Sequence, residues 1–126
     1  MMRSTVAFFQ CQECGNIVEL IKNGGGTLVC CEKPMTQFKV NTVDASLEKH
    51  VPAVSRADGK LIVDVGSVAH PMVEEHYIEW IALVTDTGIQ RINLLPGDDP
   101  KAIFADQSDV DVYAYCNLHG LWKVEA

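Results

Sequence analysis

The chain is predicted to be all-β: a small metal-stapled β unit followed by a β-sandwich of immunoglobulin type. Three observations predict this. About seven short β runs, each bounded by turn residues, follow one another from Phe38 onward. The residues before them are loop-rich and carry four of the five cysteines. A length of 126 residues fits one ordinary domain or two very small ones. The division is drawn as residues 1–37 and 38–126.

In the first segment, Phe8-Phe9-Gln10 is a strand leading into Cys11-Gln12-Glu13-Cys14-Gly15. Asn16 to Ile21 has the apolar content of a second strand, and Asn23-Gly24-Gly25-Gly26 is a flexible turn. Thr27-Leu28-Val29 returns the chain to Cys30-Cys31, and Lys33-Pro34-Met35 ends the unit. So short a segment buries too little core to fold alone, and a metal or a partner subunit is expected.

In the second segment, Asp58-Gly59 is a hairpin signal, after which Leu61, Val63 and Val65 alternate with Lys60, Ile62 and Asp64. Tyr77 to Val84 is apolar enough for a strand buried on both faces. Asp86-Thr87-Gly88 turns it into Ile89 to Leu95, and Pro96 to Pro100 is a loop before Ala102 to Ala105. Val110, Val112 and Ala114 alternate with Asp111, Tyr113 and Tyr115 up to Cys116, and Leu121 to Val124 closes the chain.

Composition excludes several classes of function. Hydrophobic residues make up 48% and charged residues 21%, which is globular composition. No apolar run approaches the roughly 20 residues that span a bilayer, so no membrane role is expected. The N-terminal stretch lacks a signal-peptide core and cleavage site, and a cytoplasmic location follows as the expectation. Ten Lys and Arg against 17 Asp and Glu give a net charge of −7, which offers nucleic acid no basic footprint. An anionic substrate would have to be attracted locally, against the global field.

The metal-ligating residues are segregated. Cys11, Cys14, Cys30 and Cys31 precede residue 32; His50, His70, His76, Cys116 and His119 follow residue 49. An odd cysteine count without an export signal argues for metal or redox use over a disulfide framework. The first four thiolates suffice to close a tetrahedral shell, and spacing alone slightly favours a Zn(Cys)4 knuckle over iron. The adjacent Cys30-Cys31 pair departs from the C-x2-C of a zinc ribbon. Neighbours on an extended segment point apart. Both reach one metal only through a distorted backbone, a strain compatible with iron that cycles between charge states.

Every histidine falls at a strand end or in a loop, where binding sites on a sandwich cluster. Cys116-x2-His119 offers two donors from one turn, whereas His70-x5-His76 alone says little. Four imidazoles and a thiolate are one donor too many for tetrahedral zinc. They suit a square pyramid with a sixth position open, and a redox metal, iron first. A thiolate pushes electron density toward the opposite position. Glu48-Lys49 precedes His50 on what reads as a loop. There Lys49 would attract an anion and help protonate a product, and Glu48 would fill the open position at rest.

These residues resemble the desulfoferrodoxins, the two-iron superoxide reductases, over nearly the whole chain. The resemblance rests on Cys11-x2-Cys14-Gly15-Asn16-Ile17-Val18-Glu19, Gly24-Gly25-Gly26, Cys30-Cys31, Asn41 to Ala45 and Glu48-Lys49-His50-Val51-Pro52. It continues in Val65 to Met72, His76-Tyr77-Ile78 and Cys116-Asn117-Leu118-His119-Gly120. It implies a desulforedoxin-like domain with Fe(Cys)4 and a catalytic immunoglobulin-like sandwich with Fe(His)4(Cys). It further implies that His50, His70, His76 and His119 bind equatorially and Cys116 axially. Also implied are a homodimer in the cytoplasm, a small electron donor such as rubredoxin, and one-electron reduction of superoxide to hydrogen peroxide, with Glu48 and Lys49 as the loop pair. Two other readings compete: a rubredoxin-type electron carrier, and a zinc-stabilised binding module whose histidines are incidental.

Overall fold

The computed structural model describes residues 6–41, 47–66 and 69–126; the side chains of Leu47 and Glu48 are outside this set. Two compact units emerge, one of Thr5–Lys39 and one built on Val40–Ala126.

In the first unit, β1 (Ala7–Gln10) pairs antiparallel with β2 (Ile17–Leu20). The loop between them carries Cys11 and Cys14. β3 (Val29–Cys30) and β4 (Lys33–Pro34) form a minimal hairpin, and β5 (Thr36–Gln37) returns to the free edge of β1. The unit therefore runs past Met35, where the sequence pattern ended it. Phe38 N–H still bonds to Phe8 O at 2.9 Å. Among its described side chains only Phe8 and Cys11 are buried apolar residues, a core far too small to hold the unit by itself.

The second unit opens with a single helical turn, α1 (Leu47–His50), where an all-β reading expected a loop. β6 (Pro52–Ala57) and β7 (Lys60–Val65) then form the hairpin foreseen at Asp58-Gly59, whose φ values of 54° and 74° give a two-residue turn that matches strand twist. β8 (Ile78–Val84), β9 (Ile89–Asn93), β10 (Lys101–Ala105), β11 (Asp111–Cys116) and β12 (Gly120–Glu125) complete it. One sheet has the order β10-β7-β6 and the other β12-β11-β8-β9. First, second and fifth strands thus face third, fourth, sixth and seventh, a β-sandwich of immunoglobulin type.

Leu61, Val63 and Val65 of one sheet meet Ile81, Leu83, Val112 and Ala114 of the other in a continuous apolar core. β11 departs from the alternation expected of it. All six of its residues are buried, because its outer aromatics are also covered. Trp80 stacks on Tyr115 with ring centres 5.7 Å apart, and the Lys123 ammonium lies 5.7 Å from the Tyr113 ring.

The strand register gathers one end of the sandwich. Pro52 pairs with Val65, so the start of β6 lies beside the end of β7. Cys116 pairs with Ile78, so the end of β11 lies beside the start of β8. Every histidine is attached to one of those strand ends or to the β11–β12 turn.

Candidate metal centres

Around Cys11 and Cys14 the backbone folds into a tight knuckle. Gly15 N–H bonds to Cys11 O and Cys11 N–H to Asn16 O, both at 2.9 Å. Gly15 sits at φ 83°, a conformation that costs a side-chain-bearing residue energy. The knuckle aims Asn16 N–H at Cys14 Sγ, 3.5 Å away.

The distortion demanded by the adjacent pair is located at Cys31-Glu32. Cys30 ends β3, and Cys31 and Glu32 form the whole turn to β4 with φ of 51° and 65°. Left-handed backbone at non-glycine residues costs on the order of 1–3 kcal/mol each. It swings the Cys31 thiol back beside its neighbour. Cys30 Sγ then lies 4.0 Å from Cys31 Sγ and 3.6 Å from Cys14 Sγ, and all four sulfurs are within 4.8 Å of one another. Sulfurs about 2.3 Å from a common tetrahedral metal would be separated by about 3.8 Å. The cluster fits a metal.

The thiols differ sharply in acidity. Backbone N–H groups, that of Cys14 foremost, lower Cys11 to about 7. The crowding thiol of Cys14, ahead of Cys11 and Cys30, raises Cys31 to about 12. Four thiolates cannot share this space unless a cation neutralises them.

At the end of the sandwich the four imidazoles form a square. Ring centres are 4.6 Å apart for His50–His70, 4.7 Å for His70–His76, 5.0 Å for His76–His119 and 4.8 Å for His119–His50. The His50–His76 diagonal is longer, 6.3 Å. Neighbouring rings stand at 77° to 88°, edge to face around the perimeter. The rings thus close a perimeter with a diagonal longer than its sides, unlike the equal separations of a regular tetrahedron.

The donor atoms turn inward. His70 Nδ1 lies 2.7 Å from Pro71 O, which fixes the proton on Nδ1 and leaves Nε2 as a lone pair. The Nε2 atoms of His70 and His76 are buried without a hydrogen-bond partner. His50 Nε2 is 3.0 Å from His119 Nδ1, close to the separation of adjacent nitrogens each about 2.1 Å from one metal. Cys116, wholly buried, brings its Sγ to 3.8 Å from His119 Nδ1 and within 4.8 Å of the donors of His50, His70 and His76. Orphaned buried nitrogens of this kind are what a bound cation would satisfy.

Burial holds two of the imidazoles in their metal-binding form and opposes ionisation of the thiol. It pushes His70 down to about 4 and His76 in the same direction, so both imidazoles are neutral near pH 7. Burial raises the Cys116 thiol, which must release its proton as a metal binds. Lys49, half-buried, has its charge felt at His76. The Glu48 side chain lies outside the described residues, as do Thr42 to Ala45, Ser67 and Val68 of the motifs above.

A β-bulge shapes the surroundings of the thiol. Down the β8–β11 ladder Leu83 faces Val112 and Ile81 faces Ala114, so regular pairing would set Glu79 opposite Cys116. The register shifts after Tyr115, and Ile78 takes that position instead. An apolar side chain thereby replaces a carboxylate across from the thiol.

Two sequence profiles match, the desulfoferrodoxin N-terminal domain over residues 4–38 and desulfoferrodoxin over residues 42–125. The chain belongs to the desulfoferrodoxin family. A desulfoferrodoxin homolog of Archaeoglobus fulgidus is 51% identical over 97% of this chain and 98% of its own. The desulfoferrodoxin of Nitratidesulfovibrio vulgaris is 49% identical over 99% and 100%. The crystal structure of the superoxide reductase from Treponema pallidum aligns with a TM-score of 0.75 at 36% identity, covering 95% of this chain and 98% of that one. Desulfoferrodoxin membership and the two donor sets agree on the cofactors, two irons: one for Cys11, Cys14, Cys30 and Cys31, and one for His50, His70, His76 and Cys116, whose donors cluster within 4.8 Å, with His119 Nδ1 beside them, 3.0 Å from His50 Nε2. No helix among the described residues is long and apolar enough to cross a membrane.

Proposed function

We propose that this desulfoferrodoxin is a superoxide reductase and that its second centre performs the reaction: one superoxide, one electron and two protons give one hydrogen peroxide. The observation that carries the reading is the square of imidazoles around a buried thiol, a donor set that leaves one face of the square for a small ligand. In this reading His50, His70, His76, His119 and Cys116 would hold the second iron, while Cys11, Cys14, Cys30 and Cys31 would hold the first. A ferrous ion held there would supply the single electron.

Lys49 is assigned the task of drawing in the anion, since a chain of net charge −7 repels it everywhere else. Its Nζ also holds a proton that the product needs. Glu48 is assigned to cover the open face when no anion is there. Residues 38–126 form the catalytic domain, and residues 1–37 serve as staple and electron relay. A homodimer in the cytoplasm, reduced by a rubredoxin-type donor, completes the proposal.

The test is a pulse of superoxide delivered to iron-loaded, pre-reduced protein. One peroxide should form per superoxide consumed, with no protein-dependent release of dioxygen. Half a peroxide per superoxide with dioxygen evolved would mean dismutation, and inertness of the reduced second centre would reject the assignment outright.

A further inference from the structure

Five donors on separate strand ends must be held to within a few tenths of an ångström for the square to exist. His70 has its own support in Pro71 O. The others converge on one short hairpin, Cys116 to Trp122, which itself carries Cys116 and His119.

Asn117 lies between those two donors and grips the third. Its Oδ1 accepts from Tyr77 N–H at 3.0 Å, and its Nδ2 donates to Glu75 O at 3.0 Å. Asn117 N–H bonds in addition to Tyr77 O at 3.3 Å. Both chain neighbours of His76 are thus tied to a single side chain. The far side of that loop is closed by Val73 and His76, which exchange two backbone hydrogen bonds of 3.0 Å.

Trp122 holds His50 and His119. Wholly buried at the hairpin's other end, it lies nearly parallel to the His50 imidazole, with ring centres 5.0 Å apart and planes at 25°. Its Nε1–H donates to His119 O at 3.0 Å. One indole therefore sets the plane of His50 and anchors the turn that aims His119.

We propose that Asn117 and Trp122 are the positioning residues of the second centre, and that the β11–β12 hairpin is the frame on which the imidazole square is assembled. This rests on the ligand assignment above but not on the identity of the substrate, so its test does not use superoxide.

The experiment measures iron retention against a competing chelator in the full-length, two-iron protein, read by the separate absorption of each centre. The first centre, in the other unit, is the internal reference. Partners that orient metal-bound histidines typically contribute 10- to 100-fold in affinity. Asn117→Ala and Trp122→Phe should each weaken the second iron by that factor and alter its thiolate absorption, leaving the first unchanged. Trp122→Phe keeps an aromatic ring against His50 and removes the Nε1–H donor to His119 O, and retention of the first iron together with a cooperative unfolding transition shows that the chain remains folded. Asn117→Asp keeps the acceptor for Tyr77 N–H and loses the donor to Glu75 O, and should fall between wild type and Asn117→Ala. Wild-type affinity and absorption in Asn117→Ala and Trp122→Phe would overturn the proposal. So would parallel loss of both irons, which would reduce these residues to general packing. Failure of the superoxide assay with selective iron loss intact would reject the function and leave this inference standing.

Discussion

Remove the metals and lower the pH: the sandwich unit should lose about 2 kcal/mol of stability between pH 8 and pH 5 from His70 alone. The imidazole titrates near 6.5 in an unfolded chain and is pushed down to about 4 in the fold, chiefly by burial. Below pH 6.5 the unfolded state therefore takes up a proton that the folded state refuses. Stability is fully present above that pH and is lost progressively as pH falls toward 4. A separation of this size gives about 2 kcal/mol at pH 5 and about 3 kcal/mol at pH 4. His76 adds a contribution of the same sign.

Both tryptophans, Trp80 and Trp122, lie in the sandwich, so their fluorescence follows this unit and not the first. In urea, with a slope of about 1–2 kcal/mol per molar, the midpoint should move down by about 1–2 M. Metal-free His70→Leu should show a pH dependence smaller by the His70 share. A flat midpoint from pH 8 to pH 5, or a full dependence retained in His70→Leu, would refute the argument that this imidazole is buried neutral. In the iron-loaded protein the acid loss should be steeper, since protons then compete with the metal for the same nitrogens.

Three further outcomes are expected. Cys116→Ser should remove the thiolate absorption of the second centre and abolish superoxide reduction while the first centre keeps its colour; full activity would take the thiolate out of the mechanism. Lys49→Ala should slow the encounter with superoxide roughly 10- to 1,000-fold with iron content unchanged, and the rate should lose most of its dependence on salt. Cys14→Ser should bleach the first centre and destabilise its unit, as metal binding and folding are coupled at this size, yet leave fast superoxide consumption at a pre-reduced second iron.

Much of the architecture was legible because its signals are local. Asp58-Gly59 demanded a hairpin by backbone chirality alone, and the long apolar run of β8 demanded burial on both faces. The partition of Cys before residue 32 and His after residue 49 separated two centres before any contact was known. Other features depend on partners distant in sequence. Nothing in the alternation of β11 reveals that Trp80 and Lys123 cover its outer side chains. Thr36-Gln37 is too short and polar to announce itself as a strand, and only the vacant edge of β1 makes it one. The turn at Leu47–His50 has no helical periodicity to read in four residues. Asn117 and Trp122 were invisible as site residues, because an amide and an indole near a turn look like any others. An Asn between two donors of one loop, Cys116 and His119, is the one signal that could have found the first of them.

The two centres also show why donor identity alone left iron and zinc open. Four sulfurs near a tetrahedral spacing fit either metal, and the left-handed turn at Cys31-Glu32 is a means of bringing adjacent thiols together whichever metal they bind. At the second centre the decision lies in shape. A regular tetrahedral set would space its rings alike, whereas here the His50–His76 ring-centre diagonal of 6.3 Å exceeds sides of 4.6 to 5.0 Å. That shape comes from strand ends fixed by register, and the same register places Cys116 on the core side, opposite Ile78 instead of Glu79. Shifting one ladder position at the bulge keeps a carboxylate from facing the thiol directly. A negative charge there would oppose the thiolate the metal requires, and Glu79 already acts weakly in that direction on Cys116. The bulge is thus part of the chemistry: it gives the thiolate an apolar neighbour and leaves the imidazole square as the polar face.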